Sequence, residues 1–181
     1  FEMLGNFSID DPEGKKKNYF KTETIAFAWE FLTKELKVDQ ATLWVTVFAG
    51  DDLVPRDSEA ETLWRTFIPQ ERIHAFGLET NCWGPPGKTG SCGPSSEIHV
   101  DRTFTPCKLG ARCLPNCSCG RFLEIWNLVF TEYEKNSHGE FHKLKHAQID
   151  TGMGFERLLT VLQNVSDNFS TEARTFMYSD K

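Results

Sequence analysis

The segment from Asp150 to Arg157 (DTGMGFER) combines residue types that could bind a charged ligand. Gly152 and Gly154 let the backbone approach a ligand closely, and the helix predicted to follow offers free N–H groups to an anion. Arg157 adds a flat cation that suits a phosphate or the face of a base, and Asp150 could bind an ammonium group. The alternative is a glycine-rich turn with Arg157 in a surface ion pair, because short glycine motifs are weakly specific.

Four of the six cysteines, Cys107, Cys113, Cys117 and Cys119, lie within 13 residues among glycines and prolines. Four thiolates in a compact, turn-rich segment are the ligand set of a structural, tetrahedral Zn²⁺ site. In a chain without a secretory signal, such crowding favours metal ligands over disulfides. The spacing differs from the usual paired CxxC pattern, so four reduced thiols or one incidental disulfide are the alternatives.

Other residues that could bind a metal are better explained as ordinary parts of the chain. Cys82 and Cys92 stand in a stretch rich in glycine and are expected to be small packing residues. His138, His142 and His146 are four apart across a predicted turn and strand, where that spacing does not bring three side chains together. We therefore expect a solvated hairpin at these histidines.

The composition indicates an ordinary globular chain. Of its 181 residues, 39% are hydrophobic, and the 15 Phe and 5 Trp favour a core that contains a sheet. The net charge of -6 argues against a wholly basic nucleic-acid surface, although Lys15–Lys17 could contact phosphates instead of forming a solvated loop. No apolar run approaches the roughly 18 residues of a membrane helix, so we expect no membrane partner and a cytoplasmic location.

Propensity and alternation predict the strands. They are Phe1–Ile9, which we expect to be buried, Leu43–Phe48, Glu97–Asp101 and Phe122–Phe130. Phe122–Phe130 is apolar on both faces, as a central strand should be. Turn residues predict irregular structure at Trp83–Pro94 and a hairpin turn at Asn136–Glu140.

Apolar residues at helical spacing predict three helices. The first has the stripe Ile25, Trp29, Leu32 and Leu36 with Thr22 as its N-cap, the second opens with a capping box at Ser58, and the third covers Phe155–Leu162. Strands dominate the middle and helices the two ends, which indicates one α+β domain over residues 1–181 with a mostly antiparallel sheet flanked by helices. A doubly wound α/β sheet is the rival, but regular strand–helix alternation is missing.

Five segments in order together resemble the active-site segments of the alanyl-tRNA synthetases, which are class II enzymes. They are Phe1–Ser8 (FEMLGNFS), Tyr19–Lys21, Thr89–Pro94 with Glu97, Glu124–Asn127 (EIWN) and Asp150–Arg157. FEMLGNFS resembles the end of that family's motif 2, and DTGMGFER resembles its motif 3. The resemblance extends to about Gln163 and implies a partial class II synthetase core. It also implies an alanine–tRNA ligase, which forms alanyl-adenylate from alanine, ATP and Mg²⁺ and transfers alanine to tRNA(Ala).

The resemblance also implies roles for single residues. Phe1 and Arg157 match the pair that sandwiches adenine, with Met3 and Gly154 beside them in the ATP site. The alanine pocket would consist of Trp83, Asn127, Val129, Asp150 and Gly152, with Asp150 receiving the α-ammonium group. Glu97 matches a Mg²⁺ ligand and, with Arg157, would act in catalysis.

The direction of Glu124 can be predicted from the alternation of its strand. By alternation, Asn127 and Val129 share one strand face, as neighbours in a pocket should, whereas Glu124 points to the other. Glu124 is therefore either a buried structural carboxylate or a ligand.

The cysteine segment Cys107–Cys119 is similar to an insert that some alanyl-tRNA synthetases carry before their Glu-Ile-Trp-Asn strand, which favours zinc over the alternatives.

The sequence also departs from the family's pattern. The chain begins at Phe1 without a Met, and motif 1 and the motif 2 arginine that grips the α-phosphate are expected upstream of it. A charged insertion, Asp11–Asn18, follows the first segment. We therefore interpret the chain as a segment that holds part of an adenylation site and is inactive in isolation. Oligomeric state and editing activity are left open.

Two other functions are compatible with the sequence. The first is a synthetase-like paralogue that adenylates an amino acid without charging tRNA. The second is a non-catalytic module in which a zinc knuckle contacts nucleic acid. The retention of Phe1, Asn127, Asp150 and Arg157 argues against the second.

Overall fold

One sheet carries the fold. The computed structural model describes residues 1–9, 11, 18–85, 87–102 and 107–172. Within these ranges the strands are β1 (Met3–Leu4), β2 (Phe7–Ser8), β3 (Leu43–Phe48), β4 (Ile73–Phe76), β5 (Cys82–Trp83), β6 (Gly90–Asp101), β7 (Phe122–Lys135) and β8 (Phe141–Gly154). The helices are α1 (Lys21–Glu30), α2 (Ser58–Trp64), α3 (Leu78–Asn81) and α4 (Phe155–Leu162).

The sheet runs in the order β1-β8-β7-β6-β3-β4, with β2 also paired to β8 and β5 to β6. Every pairing is antiparallel except that of β3 with β4. The predicted α+β class with a mostly antiparallel sheet is confirmed. Of the helices in the described ranges, none is both long and apolar enough to cross a membrane.

The core lies between the sheet and the helices. Val45, Ile98, Trp126 and Met153 form one row across four neighbouring strands, and all four are buried in the core. Trp64 of α2 is fully buried beside them, and its indole N–H donates to Ser96 Oγ at 2.7 Å. Alternation then directs the next row of the sheet to the opposite face.

A buried ion cluster fixes two helices to the central strand. Nζ of Lys21 lies 2.9 Å from Oδ1 of Asp57 and 2.6 Å from Oε1 of Glu132, with Oε2 of Glu59 at 3.5 Å. Burial alone lowers the pKa of Lys21, but the attraction of Asp57 and Glu132 outweighs it and the pKa is raised. Because Lys21 begins α1, Asp57 precedes α2 and Glu132 is on β7, the cluster ties three elements together.

The helix starts differ from the predicted ones. The first helix begins at Lys21 rather than after Thr22, and the Glu23 carboxylate accepts the N–H of Phe20 at 3.2 Å. The N-cap of the second helix is Asp57 rather than Ser58, because the Asp57 carboxylate accepts the N–H of Ala60 at 3.0 Å.

Two predictions of strand structure were wrong. Phe1–Ile9 is not a buried strand: only β1 and β2 form, at the edge of the sheet, and Phe7 is 59% exposed. Trp83–Pro94 is irregular only in part, because Trp83 ends β5 and β6 begins at Gly90. Close packing requires a glycine at position 93, because a Cβ there would collide with the carbonyl oxygen of Phe130 on β7. Apart from Asp11 and Asn18, the insertion Asp11–Asn18 lies outside the described residues, and so do Lys15–Lys17.

Candidate functional site

Polar side chains gather on the face of the sheet opposite the core. Thr46, Glu97, Asn127 and Gly152 form one row across β3, β6, β7 and β8. Thr46 is fully buried and Glu97 is only 8% exposed, so this row places a carboxylate in a largely water-free setting. Oδ1 of Asn127 is buried without a hydrogen-bond partner within the described residues. A buried polar atom without a partner is costly, which makes Asn127 a candidate for contact with a ligand.

The next row on the same face holds the other residues of the predicted amino-acid pocket. Val129 lies opposite Ser95 on one side and opposite Asp150 on the other. Asp150 is exposed, so its carboxylate is accessible. Trp83 is 41% exposed and pairs with Gly93, two residues before Ser95 on β6.

Glu97 is held by hydrogen bonds to one of its two oxygens. Oε2 accepts from Oγ1 of Thr46 at 3.4 Å and lies 3.1 Å from Nε2 of His99. Nδ2 of Asn81 donates to Oγ1 of Thr46 at 2.7 Å, which fixes that hydroxyl in turn. Asn81, fully buried on α3, carries no motif that sequence reasoning could have found.

Arg157 forms an ion pair with Glu124. Its Nη1 lies 2.8 Å from Oε2 of Glu124 and donates to the carbonyl oxygen of the same residue at 3.2 Å. The prediction that Glu124 points away from the pocket face was wrong. Ile98 pairs with Trp126 and His99 with Glu124, so Ile125 is an extra residue that reverses the alternation.

Two cavities adjoin at this ion pair. One, which we name the Phe1–Arg157 cavity, has a volume of about 450 Å³ and is lined by Phe1, Met3, Glu124, Ile125, Gly152, Gly154, Glu156, Arg157 and Asn168. The other, which we name the Glu97 cavity, has about 300 Å³ and is lined by Glu97, His99, Pro115, Asn116, Cys117, Phe122, Leu123, Glu124 and Arg157.

The backbone is closely packed around the first cavity. A Cβ at Gly152 would lie 3.3 Å from Sδ of Met3, and one at Gly154 would lie 3.4 Å from Cδ of Arg157, so any larger side chain would crowd the cavity lining. Phe1 lines the cavity and is 99% exposed, so its ring is accessible to a ligand. At the start of α4, the first backbone N–H is not free to bind an anion, because the N–H of Phe155 donates to the carbonyl oxygen of Glu2 at 3.0 Å.

The four clustered cysteines converge. Their sulfur atoms all lie within 4.8 Å of one another, with Cys107 and Cys117 3.8 Å apart and Cys113 and Cys119 3.5 Å apart. Four ligands at about 2.3 Å around one zinc ion would be spaced in this way, so the donor set fits zinc. In a chain with six free cysteines, Cys82 and Cys92 lie outside the cluster, as predicted.

Backbone N–H groups donate hydrogen bonds to two of these sulfurs. The N–H of Leu109 donates to Cys107 Sγ and that of Arg121 to Cys119 Sγ, both at 3.4 Å. The bond from Arg121 lowers the pKa of Cys119 from 9.0 to about 7. Burial instead raises the pKa of Cys113, which makes it the thiol that most needs a cation to ionise.

The predicted hairpin at the histidines is present. A turn at Asn136–Glu140 joins β7 and β8, with Gly139 at a φ of 85°. His138, His142 and His146 are exposed along it. Their exposure agrees with the predicted solvated hairpin.

Comparison with known proteins gives one consistent family. The model for class II (A) tRNA synthetases matches residues 1–179. The chain is 47% identical to an alanine–tRNA ligase of Petrotoga mobilis and 46% identical to one of Treponema pallidum, over 95% and 97% of its length. It spans only 18% and 28% of those two relatives. Because the family model covers nearly every residue, the chain belongs to the class II (A) tRNA synthetases.

Proposed function

We propose that the chain carries part of the adenylation site of an alanine–tRNA ligase, which acts in the cytoplasm on alanine, ATP and tRNA(Ala). One observation carries the proposal. Asn127 and Val129 on β7 lie directly opposite Gly152 and Asp150 on β8, on the sheet face that also carries Glu97. The names of the similar proteins from Petrotoga mobilis and Treponema pallidum support the same activity.

The amino-acid pocket follows from this row. The exposed carboxylate of Asp150 receives the α-ammonium group of alanine, and the unpartnered Oδ1 of Asn127 accepts a second hydrogen bond from it. Val129 forms an apolar wall beside the methyl group, with Trp83 at the open side. Such a pocket rejects larger side chains by overlap, but it disfavours glycine by only about 1–3 kcal/mol because one methyl group distinguishes the two.

The nucleotide belongs beside this pocket. In the Phe1–Arg157 cavity, the adenine ring stacks between the Phe1 ring and the Arg157 guanidinium, with Met3 and Gly154 at its edge. In the Glu97 cavity, Oε2 of Glu97 is held by Thr46 and His99, so Oε1 is the oxygen available to a Mg²⁺ ion. When bound, Mg²⁺ neutralises charge on the phosphate oxygens.

The reaction that these residues support has two steps. A carboxylate oxygen of alanine forms a bond to the α-phosphorus of ATP while the bond to pyrophosphate breaks, which gives alanyl-adenylate. A ribose hydroxyl at the 3′ end of the tRNA then attacks the carbonyl carbon, and AMP leaves. Arg157 and Asp150 act mainly by orienting the two substrates, because bringing reactants together contributes much of the rate. A Zn²⁺ ion bound by the four thiolates would stabilise the segment Cys107–Cys119 and would take no part in the chemistry.

The test is amino-acid-dependent exchange of pyrophosphate into ATP by the natural full-length protein, together with charging of tRNA(Ala). Alanine should stimulate exchange most and should be attached to the tRNA. Exchange without charging would indicate the paralogue that only adenylates, and neither activity would indicate a non-catalytic module. Either result would refute the proposal.

A further inference from the structure

The cysteine insert, Cys107–Cys119, lies against the Glu97 cavity. Pro115, Asn116 and Cys117 line that cavity together with Glu97 and Arg157. Pro115 is buried, whereas Asn116 is exposed, so its side-chain amide is accessible to a ligand. One wall of the cavity is therefore contributed by the insert.

This wall depends on the cysteine cluster for its shape. Pro115 and Asn116 are the two middle residues of a turn that closes where the N–H of Cys117 donates to the carbonyl oxygen of Leu114 at 2.9 Å. The next residue after that corner is a clustered thiol, Cys117. Apart from hydrogen-bonded turns, the insert contains no strand and only a short 3₁₀ helix, Gly110–Arg112, so a cation on the four sulfurs would cross-link a segment that has little regular structure of its own.

Two arginines fix the residues directly after the insert, Gly120 and Arg121, to the end of the strand that carries Glu97. Arg121 forms two bonds of 2.7 Å to the carboxylate of Asp101, the last residue of β6. Arg102 donates from Nη2 to the carbonyl oxygen of Gly120 at 2.8 Å. Because Glu97 and Asp101 lie on the same strand, these bonds fix the insert relative to Glu97.

We propose that the cysteine insert is a wall of the nucleotide site, so that the metal ion on its four thiolates sets the affinity for MgATP. The inference rests on the proposed function, because it takes the Glu97 cavity as the place of the triphosphate. Asn116 donates from its amide to a phosphate oxygen, while the metal keeps Pro115–Cys117 in position. The amino-acid pocket on β7 and β8 is built without the insert, so alanine binding does not depend on the metal.

The first experiment removes the metal from the natural full-length protein. A chelator is added and dialysed away before Mg²⁺ is supplied, and the dissociation constant of MgATP is measured by calorimetry. Removal of zinc should raise it by about 10- to 100-fold, as small displacements of positioning groups do. The Michaelis constant for alanine should change less than about twofold, and re-addition of zinc should restore ATP binding.

The second experiment keeps the metal and changes the wall. Asn116→Ala should retain its zinc and raise the dissociation constant of MgATP by about tenfold, since one hydrogen bond to a charged group is lost. Ser118→Ala, an exposed residue of the insert that is not part of the cavity lining, is the matched control and should leave ATP binding unchanged.

The results separate two kinds of failure. If the wild-type protein shows no alanine-dependent exchange, the proposed function is wrong and the inference falls with it. If exchange is normal but neither zinc removal nor Asn116→Ala weakens MgATP binding, only the inference is wrong. An equal loss of ATP and alanine binding without zinc would also overturn it, because it would mean that the metal supports the whole fold.

Discussion

Glu124 holds the guanidinium of Arg157 through both its side chain and its backbone, with Nη1 2.8 Å from Oε2 and 3.2 Å from the carbonyl oxygen. The two side chains are 34% and 46% exposed, so the pair adds only about 0.2–1 kcal/mol to stability. Its effect is on orientation, because it fixes the plane of a group that lies between two cavities.

Glu124→Gln should therefore affect ATP more than stability. Without the charged partner, the Arg157 guanidinium samples other rotamers, and the Michaelis constant for ATP in pyrophosphate exchange should rise about tenfold, less than the roughly 100-fold cost of a 1 Å misplacement. The melting temperature should stay close to that of wild type. Glu35→Gln, at an exposed position after the end of α1, serves as the control. A large fall in melting temperature with an unchanged Michaelis constant would assign Glu124 a purely structural role.

Asp150→Asn should disable alanine activation. The variant keeps the shape of the side chain but leaves the ammonium group without its carboxylate, which costs about 2–5 kcal/mol in binding. Alanine-dependent exchange should fall accordingly, while ATP binding measured by calorimetry is retained. Asp52→Asn, at an exposed loop position, should behave as wild type. Exchange within a few-fold of wild type in Asp150→Asn would show that Asp150 is not the ammonium partner.

The cysteine cluster should bind close to one equivalent of zinc. Protein purified without chelators is analysed for metal, and Cys117→Ser should lose most of it together with several degrees of melting temperature, because the insert then lacks its cross-link. Cys82→Ser removes a thiol outside the cluster and should keep its zinc. Absence of zinc from the wild-type protein would leave four reduced thiols as the explanation.

Lys21→Met tests the buried ion cluster. The substitution leaves Asp57 and Glu132 buried without their cation, which should lower the free energy of unfolding by about 3–5 kcal/mol. Lys34→Met removes the exposed pair with Glu30 and should cost no more than about 0.5 kcal/mol. Urea denaturation of the three proteins measures the difference. Equal stability of Lys21→Met and Lys34→Met would mean that the cluster contributes nothing.

Glu61 should make stability depend on acidic pH. The bonds from Arg56, at 3.0 and 2.7 Å, and the weaker influence of Arg65 lower the pKa of Glu61 below 4.5 in the folded state. A lowered carboxyl pKa stabilises the fold at pH above 4.5, and this contribution disappears as the pH falls through the folded-state value. Glu61→Gln should therefore be less stable than wild type by about 1 kcal/mol near pH 7. The difference between the two proteins should shrink as the pH falls below 4.5, and a difference that is constant with pH would contradict the assignment.

Much of the fold follows from local sequence. The strand Leu43–Phe48 has the bounds that its β-branched and aromatic residues predict, and the helix Phe155–Leu162 matches its apolar stripe. Asn127, Val129, Asp150 and Gly152 were grouped by resemblance, and the register of the two strands brings them together.

The features that could not be predicted from the sequence depend on interactions between distant parts of the chain. The extra residue at Ile125 turned Glu124 toward the site, and no local pattern marks a bulge in an apolar strand. Gly93 looked like a turn residue, yet it is required by the approach of Phe130 from the next strand. Asn81 supports Glu97 through Thr46. Because Asn81 and Thr46 are 35 positions apart, no local sequence pattern could indicate this contact.

The pairing of the first short strands with β8 has a consequence for the order of assembly. Phe7 pairs with Asp150 and Met3 with Gly154, so these contacts join residues that are translated far apart in time. At roughly 5–20 residues per second, a ribosome needs several seconds to reach the partners, and the early segment meanwhile has no strand to join. The Phe1–Arg157 cavity therefore forms only after β8 has been made, and a nascent chain interrupted before Asp150 cannot form it.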